Sequence, residues 1–248
     1  MLNNKIVAIG DLHGRSDWKL IVHIEKPSKV IFIGDYFDSF TLSAAEQLYN
    51  YNELIAFKER GECEVVLLIG NHDMHYFPEM GNTGTAGYQY NHAYQISDVI
   101  DRTRNHLRMA HQIDNILFTH AGFSPVWLET IFGKGYKLNE NQTYADLIND
   151  IWRYKPKTFC FSTPAFGFTD SYGDNEYQSP VWIRPKSLQR ASKELKKEII
   201  QVVGHTAQDR IDINGKATGG RYYYIDTIET SGEYLIIEDG KFRVNSCR

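Results

Sequence analysis

The stretch KIVAIGDLHG, residues 5–14, decides the fold, because a short apolar run ends directly in glycine, aspartate and histidine. Runs of this kind, rich in β-branched residues, are typical of strands buried on both faces of a sheet. Residues 16–25 and 42–60 carry apolar residues at helical spacing, so strands and helices alternate. This alternation predicts an α/β sheet with crossover helices. The run-then-polar pattern recurs in KVIFIGDYFD at 29–38, EVVLLIGNHD at 64–73, NILFTH at 115–120 and IIQVVGHT at 199–206.

The polar residues that follow these runs point to one shared site. In open α/β sheets, ligands bind at the carboxyl ends of the strands. Carboxylate, imidazole and amide groups are hard to borderline ligands that suit Mn, Fe, Zn or similar divalent ions. Two neighbouring ions need a bridging anion, for which the carboxylate of Asp35 is the candidate. The candidate ligands are Asp11, His13, Asp35, Asn71, His120 and His205.

The end of the chain and two internal segments differ in character from these repeats. Arg221–Asp226 and Gly232–Glu238 predict antiparallel strands that complete a second sheet. Segments at about 74–110 (the first insertion) and 133–181 (the second insertion) are rich in Gly, Asn, Tyr and Phe, and we interpret them as lying near the site mouth. A chain of 248 residues is long enough for one domain, so we expect residues 1–248 to form a single domain with these insertions. Short helices are predicted within the insertions at Ser97–Met109 and Thr143–Tyr154.

Composition narrows the classes of partner and compartment. Lys and Arg total 27 against 31 for Asp and Glu, and no basic tract stands out, which argues against a protein that depends on nucleic-acid backbone contacts. The cysteines Cys63, Cys160 and Cys247 lack disulfide-framework or CxxC spacing. No signal peptide is visible, and no apolar run approaches the roughly 20 residues that cross a bilayer. We therefore expect a soluble, cytoplasmic protein, while its oligomeric state stays open.

Five motifs in order resemble those of a known superfamily. GDLHG at 10–14, GDYFD at 34–38, GNHD at 70–73, HAG at 120–122 and GHT at 204–206 are similar to the calcineurin-like metallophosphoesterase motifs. The resemblance is closest to the serine/threonine protein phosphatase and diadenosine tetraphosphatase branch. It covers Asp11 to His205 and, more weakly, YYYIDT at 222–227, but neither insertion. It implies a four-layer α/β/β/α sandwich, in which two mixed sheets are flanked by helices.

The resemblance also implies roles for single residues. It implies two divalent metal ions, with Mn²⁺ as the first expectation and Fe or Zn as alternatives, and a metal-bridging hydroxide that attacks phosphorus. His72 matches the general acid that protonates the departing alcohol, and Asp38 matches the residue that orients its imidazole. Ions held by these ligand sets would share Asp35: the first set is Asp11, His13 and Asp35, and the second is Asp35, Asn71, His120 and His205.

Two departures from the branch loosen the substrate assignment. Ser39 stands where protein phosphatases of this class usually carry a phosphate-binding Arg, and Asp73 stands where they usually carry Glu. The segment PVWIRP at 180–185 resembles a Trp-x-Arg element of that branch, so Arg184 is the candidate phosphate contact. An Arg after Trp can also simply cover the ring by stacking.

Three functions from different classes stay open. The first is a phosphatase for phosphomonoesters, of the serine/threonine protein phosphatase type. The second is a nucleotide hydrolase that acts on dinucleoside polyphosphates or cyclic nucleotide diesters, and the third is a non-catalytic metal-binding module. Aromatic residues of the first insertion could stack a nucleobase, although such residues more often pack a segment against the core. These aromatic residues are Tyr76, Phe77, Tyr88, Tyr90 and Tyr94.

Overall fold

The computed structural model describes residues 4–81, 84–161, 174–191, 195, 199–213 and 221–248. Ten strands lie within these residues and form two sheets, one of six strands and one of four. They are β1 (Ile6–Ile9), β2 (Lys29–Phe32), β3 (Glu64–Leu68), β4 (Leu107–Arg108), β5 (Ala110–Ile113), β6 (Ile116–Thr119), β7 (Ile200–Val203), β8 (Tyr222–Tyr224), β9 (Glu233–Glu238) and β10 (Lys241–Ser246).

Both sheets are mixed, as predicted. The six-stranded sheet has the order β10-β9-β1-β2-β3-β4, in which β1 to β4 run parallel and β9 runs antiparallel to β1 and β10. The four-stranded sheet has the order β5-β6-β7-β8. There β5 is antiparallel to β6, whereas β6, β7 and β8 are parallel. The carboxyl ends of β1, β2 and β3 therefore lie along one edge, and those of β6 and β7 along another.

Helices connect and cover the sheets. The capping box at the start of the second helix explains its position, because Ser43 Oγ accepts from Glu46 N while Glu46 accepts from Ser43 N. None of the helices in the described residues is both long and apolar enough to cross a bilayer. The helices are α1 (Trp18–Glu25), α2 (Ala44–Arg60), α3 (Asn71–Met74), α4 (Ala93–Thr103), α5 (Pro125–Phe132), α6 (Tyr144–Tyr154) and α7 (Pro185–Ala191). Single 3₁₀ turns occur at Pro78–Met80, Tyr90–His92, Arg104–His106 and Pro156–Phe159.

The alternation of side chains along β1 shows how the layers stack. Val7 and Ile9 are fully buried in a cluster with Trp18 and Ile21 of α1, so this face of the sheet packs on helices. Ala8, between them, belongs to a cluster formed between the two sheets. That inter-sheet cluster also includes Ile31, Leu68, Phe118, Val202 and Leu235.

The second sheet is covered on its outer face as well. Leu117 of β6 shares a buried cluster with Ile148 of α6. Tyr222 of β8 shares another cluster with Leu188 of α7. Helices thus lie outside both sheets, which confirms the four-layer α/β/β/α sandwich.

The chain terminus differs from the prediction. The two terminal strands do not share a second sheet: β8 pairs parallel with β7 in the four-stranded sheet, whereas β9 pairs antiparallel with β1 in the six-stranded sheet. The sequence also did not predict β4, β5 and β10. Strand β10 lies at a sheet edge and buries none of its side chains fully, so its sequence lacks the apolar run of a buried strand.

The two helices predicted within the insertions were predicted with different accuracy. The helix predicted at Thr143–Tyr154 is confirmed as α6, which begins after a capping box made by Thr143 and Asp146. The helix predicted at Ser97–Met109 instead ends at Thr103, because Leu107 and Arg108 leave the helix to pair with β3. Residues 162–173 of the second insertion lie outside the described residues.

Candidate functional site

Loops from both sheets meet at the strand ends. The backbone N–H of His205, after β7, donates to Asp11 after β1, at 3.0 Å from Oδ2 and 3.2 Å from Oδ1. His120, after β6, places its Nε2 2.9 Å from Oδ1 of Asn71, after β3. These contacts bring candidate ligands from the strand ends of both sheets together.

Asp35 lies at the centre of this site. Its Oδ2 is 3.4 Å from His120 Nε2 and 3.8 Å from His13 Nε2, and its Oδ1 accepts the backbone N–H of His72 at 2.9 Å. Two groups of possible ligand atoms share it, each with all atoms within 4.8 Å of one another. One group is His13, Asp35 and His72, and the other is Asp35, His120 and His205. A carboxylate that belongs to both groups can bridge two cations.

Backbone carbonyl oxygens fix the orientation of the imidazoles. His13 Nδ1 lies 2.6 Å from Phe37 O, and His120 Nδ1 lies 3.0 Å from Ile33 O. His205 contacts a backbone carbonyl through its other nitrogen, Nε2, which lies 3.1 Å from Trp182 O. A carbonyl oxygen only accepts, so the nitrogen that faces it carries the hydrogen.

The opposite nitrogen of each of these three rings faces the cluster. His205 Nδ1 lies 2.8 Å from Asn71 Oδ1, so two electron-rich atoms face each other across a short contact. A cation between them would satisfy both. Metal-ligating histidines show this arrangement, with one nitrogen held by an acceptor and the other on the metal. The side chains present therefore fit a pair of divalent cations.

The charges of the cluster favour bound cations. Burial disfavours ionisation of Asp35, but the surrounding imidazoles, His120 first, outweigh it and hold the pKa of Asp35 well below its usual value. Burial opposes the charged form of His120, but Asp35 and Asp11 outweigh it and raise the pKa of His120 to about 10. The site therefore favours positive charge beside His120. A proton supplies one such charge, and a divalent cation would supply two.

The pKa values of the other two imidazoles shift in the opposite direction. Burial, and then the neighbouring His120, hold the pKa of His205 well below its usual value. Burial also lowers the pKa of His13. Both rings are thus neutral at neutral pH, which is the form that binds a metal ion.

Asp11 lies beside these groups but outside both. Its carboxylate is buried, and it accepts the His205 backbone N–H described above. Burial, followed by repulsion from Asp226, raises the pKa of Asp11 well above its usual value. Asp226 follows β8, and burial with repulsion from Asp35 raises its pKa to about 6. Sequence reasoning noted the segment 222–227 but gave Asp226 no role at the site.

His72 and Asp38 form the expected pair next to the cluster. His72 Nδ1 lies 2.9 Å from Oδ2 of Asp38, which is fully buried. The His72 ring stands edge-on to the His13 ring, with centroids 5.1 Å apart. Burial opposes the charged imidazole, but Asp35 and Asp38 outweigh burial and raise the pKa of His72. This places a ring that carries a proton directly beside the candidate metal ligands.

Four residues of the site have strained backbone conformations, which the surrounding packing must hold in place. His13, Asp35, Asp38 and His205 have φ values of 42°, 53°, 67° and 67°, in a region that non-glycine residues rarely adopt. Such strain clusters at functional sites because the surrounding structure holds it in place.

Glycines before two candidate ligands make room for the carboxylates. A Cβ on Gly70 would lie 2.0 Å from Asp35 Oδ1, and a Cβ on Gly204 would lie 2.1 Å from Asp11 Oδ1. Each motif glycine therefore admits a carboxylate from a different strand end. This close approach is the reason that glycine precedes Asn71 and His205.

Asp73 has a structural role that sequence reasoning missed. Its Oδ2 accepts the backbone N–H groups of Asp35 at 2.7 Å and Gly70 at 2.9 Å, and its Oδ1 accepts that of Tyr36 at 2.7 Å. It thereby fastens the loop after β2 to the loop after β3. Its place three residues after Gly70, at the start of α3, is the sequence signal for such a bond.

Arg184 contacts the cluster through the GHT loop, whereas Ser39 is part of a turn that follows Asp38. Arg184 Nη1 donates to His205 O at 3.2 Å and to Thr206 Oγ1 at 3.0 Å, which places the guanidinium against the GHT loop. Ser39 is buried, and its Oγ accepts the backbone N–H groups of Thr41 and Leu42. Ser39 therefore stabilises a turn before α2 and does not take over the role of an Arg at this position.

The aromatic residues of the first insertion divide into two kinds. Tyr76 and Tyr88 are buried and stacked, with ring centroids 4.7 Å apart and planes inclined by 10°, and Phe77 is buried beside them. Tyr90 and Tyr94 are 75% and 84% exposed. The packing interpretation is confirmed for the first three residues, whereas the last two present free faces to solvent.

Comparison with known proteins agrees with this geometry. The calcineurin-like phosphoesterase family matches residues 4–209. No curated protein sequence matches the chain. The structure of a cold-active protein-tyrosine phosphatase from a psychrophilic Shewanella species has a TM-score of 0.63 at 19% identity, with 99% of this chain and 78% of that chain covered. The structure of a serine/threonine phosphatase from Saccharomyces cerevisiae with similarity to human phosphatase PP5 has a TM-score of 0.58 at 13% identity, with 98% of this chain and 80% of that chain covered.

At these identities, the two structures show a shared fold and nothing finer. The family match spans most of the 248 residues and contains every candidate ligand. The chain therefore belongs to the calcineurin-like phosphoesterases and is a metal-dependent phosphoesterase.

Proposed function

We propose that the chain hydrolyses phosphomonoesters at a centre of two divalent metal ions bridged by Asp35. The observation that carries this proposal is the position of Asp35 in both groups of ligand atoms, with the His72–Asp38 pair directly beside it. A single carboxylate shared by two imidazole groups suits a two-metal site. The adjacent imidazole suits a proton donor.

The proposed ligands of the second ion rest on direct contacts. Asn71 Oδ1 is the point on which two ring nitrogens converge, and Asp35 lies within reach of one of them. All donors are oxygen or nitrogen, the set that suits Mn²⁺, Fe or Zn²⁺, and we propose Mn²⁺ first. The second ion would be held by Asp35, Asn71, His120 and His205.

The ligands of the first ion need a test of their own. We assign Asp11, His13 and Asp35, because Asp11 lies on the same loop as His13 and at the strand end beside the cluster. The geometry also brings His72 within ligand distance of His13 and Asp35. Metal content separates these assignments: Asp11→Asn should lose one ion per chain, whereas His72→Asn should keep both. The reverse result would make His72 a ligand.

Bound divalent ions would lower the pKa of a water nucleophile and neutralise phosphoryl charge. The chain itself supplies the proton and the phosphate contact. With Nδ1 directed to Asp38, His72 carries the proton for the leaving alcohol on Nε2. Arg184 Nη1 donates to His205 O and to Thr206 Oγ1, which places its guanidinium beside the GHT loop, and we propose that it binds phosphoryl oxygens there.

Proteins with phosphorylated side chains are the proposed substrate class. The motifs favour phosphoserine and phosphothreonine, and the two solved structures compared above are named as protein phosphatases. A nucleotide substrate is the second candidate, because the exposed rings of Tyr90 and Tyr94 on the first insertion could stack a base. The formed His72–Asp38 pair favours both enzymes over a non-catalytic module.

A hydrolysis panel tests these candidates. Purified protein with Mn²⁺, Fe²⁺ or Zn²⁺ would be assayed against phosphoserine, phosphothreonine and phosphotyrosine peptides, p-nitrophenyl phosphate, its bis-ester and diadenosine tetraphosphate. We expect monoesters to be hydrolysed fastest. Faster turnover of the diester or of diadenosine tetraphosphate would favour the nucleotide hydrolase. Metal binding without any turnover would favour the non-catalytic module.

We also propose a single domain for residues 1–248 and a reducing, cytoplasmic compartment. The large buried cluster includes residues of both sheets and of both insertions, which supports one domain. Cys63, Cys160 and Cys247 are all free, which suits a reducing compartment. Limited proteolysis tests the first proposal, because a single domain should yield no stable fragment.

A further inference from the structure

We propose that Tyr76 and Thr85 of the first insertion are positioning residues that fix the Asp38 carboxylate and thereby aim the imidazole of His72. The inference rests on the proposed role of His72 as a proton donor. It gives the first insertion a task in the reaction that neither its packing nor a stacked base would explain.

The hydroxyl of Tyr76 has one possible direction. It lies 2.5 Å from Asp38 Oδ1 and 2.9 Å from the backbone N of Gln89. The N–H of Gln89 can only donate, so the hydroxyl oxygen accepts there and its own hydrogen is given to Asp38. Tyr76 is fully buried, so this hydrogen bond is shielded from bulk solvent.

Thr85 holds the other side of the pair. Its Oγ1 lies 3.3 Å from Asp38 Oδ2 and 3.0 Å from His72 Nδ1. The Asp38 and His72 atoms are also hydrogen-bonded to each other. Oδ1 is thus occupied by Tyr76, while Oδ2 is shared by His72 and Thr85. A carboxylate with donors on both oxygens cannot rotate freely, so the direction of the His72 ring is fixed with it.

The backbone of the first insertion also packs against the loop that contains Asp38. A Cβ on Gly87 would lie 2.5 Å from Asp38 O, so only glycine allows this approach. Gln89 Nε2 donates to Gly87 O at 2.8 Å and to Ser39 O at 3.4 Å. Asp38 itself has a strained φ of 67°, and the insertion supplies contacts that hold it there.

The chain offers a matched control for Tyr76. Tyr88 is stacked on Tyr76 and is also buried, but its hydroxyl has no hydrogen-bond partner among the described residues. Tyr76→Phe and Tyr88→Phe therefore remove the same atom from the same stack. Only the first removes a bond to Asp38.

The test compares leaving groups in the metal-loaded, full-length protein. We expect Tyr76→Phe to lower kcat for an alkyl phosphate about 10- to 100-fold, since small misplacement of a catalytic group costs about that much. The loss should be several times smaller for p-nitrophenyl phosphate, whose leaving group needs less protonation. KM, metal content and melting temperature should stay near those of Tyr88→Phe.

Thr85 gives a second, independent arm. Thr85→Val should lower kcat for the alkyl phosphate, and Thr85→Ser, which keeps the hydroxyl, should restore it. The positioning role is refuted if kcat of Tyr76→Phe equals that of Tyr88→Phe. It is also refuted if Thr85→Val lowers kcat equally for the alkyl phosphate and for p-nitrophenyl phosphate. Equal losses accompanied by lost metal would show a structural role only.

A measurement that does not depend on activity tests this proposal separately from the proposed function on which it rests. In the zinc-loaded protein, ¹⁵N shifts of the His72 ring should show hydrogen on Nδ1 in the wild type and in Tyr88→Phe, and a mixed population in Tyr76→Phe. An unchanged ring in Tyr76→Phe overturns the proposal even if no substrate is turned over. A wild type without phosphoesterase activity, but with the expected shifts, would overturn only the proposed function.

Discussion

Asp35 and Glu25 are both buried carboxylates with lowered pKa values, yet their surroundings differ. Glu25, at the end of α1, accepts from Tyr234 and Asn245 at 2.8 Å each and from Lys5 at 3.2 Å. These bonds outweigh the burial that would raise the pKa of Glu25. Asp35 has the titratable imidazole rings of His13 and His120 within 3.8 Å and 3.4 Å of its Oδ2.

These surroundings distinguish the structural carboxylate of Glu25 from the carboxylate of Asp35, which we propose as a metal ligand. The donors around Glu25 are permanent: an ammonium, a phenol and an amide. The rings around Asp35 can give up their protons, so a metal ion can take the place of hydrogen. Replacing Glu25 should therefore lower the stability of the fold and leave activity unchanged. Replacing Asp35 should lower activity and release bound metal.

Asp35→Asn should have the largest effect. We expect kcat/KM to fall by more than about 10⁴-fold, since bound cations supply several kcal/mol of transition-state stabilisation and about 1.4 kcal/mol is a factor of ten. Elemental analysis of the purified variant should show bound metal lost as well. Full activity with two ions retained would refute Asp35 as the bridge.

His72→Asn should lower kcat by roughly 10²–10⁴-fold for alkyl phosphates, because a general acid contributes about that factor. The loss should be smaller for nitrophenyl phosphate, and metal content should stay unchanged. Steady-state kinetics on both substrates measure this, with the exposed His23→Asn as the control. Equal losses on both substrates would count against His72 as the proton donor.

Arg184→Ala should act on phosphate binding rather than on metal. The inhibition constant for inorganic phosphate should rise roughly 10- to 100-fold, since a hydrogen bond to a charged group contributes about 1.5–3 kcal/mol. Arg190→Ala is the control, because Arg190 is a half-exposed arginine that pairs with Glu176. An unaltered inhibition constant in Arg184→Ala would remove Arg184 from the site.

Glu25→Gln should leave activity at neutral pH unchanged and affect stability alone. We expect the free energy of unfolding to fall by roughly 1.5–3 kcal/mol, the range for hydrogen bonds to a charged group. Glu53→Gln, which removes an exposed pair with Lys19, should cost less than about 1 kcal/mol. Denaturant titration of both variants measures the difference. A loss of activity in Glu25→Gln would break the comparison with Asp35.

The pH dependence of the Glu25 contribution has a definite sign. Its pKa is lower in the folded chain than the ordinary value of 4.5, so the folded state binds the proton less readily. The stability difference between wild type and Glu25→Gln should thus be complete above about pH 4.5 and disappear as the pH falls through the folded pKa. A difference that grows with acid would contradict this assignment of Glu25.

Sequence reasoning predicted what is encoded locally. The strands before Asp11, Asp35 and Asn71 are apolar runs that end in glycine, so their position and the common edge of their polar residues follow from the pattern. The α6 helix was predicted within one residue, and its start is encoded locally, because Thr143 and Asp146 form a capping box there.

The remainder depends on pairing between distant residues. The sheet that β9 joins is set by its register with β1, more than 200 residues earlier, and no local signal encodes that choice. The hydrogen bonds from Tyr76 and Thr85 to Asp38 span 38 and 47 residues and depend on the path of the first insertion. Tyr76 therefore appeared in sequence only as one aromatic residue among several.

Anomalous diffraction from crystals of the full-length protein grown with Mn²⁺ tests the central claim most directly. We predict two manganese peaks per chain, both in contact with the Asp35 carboxylate, one of them also touching His13 and the other His120 and His205. A single peak, or peaks that do not contact Asp35, in protein that hydrolyses phosphomonoesters would contradict the two-metal centre.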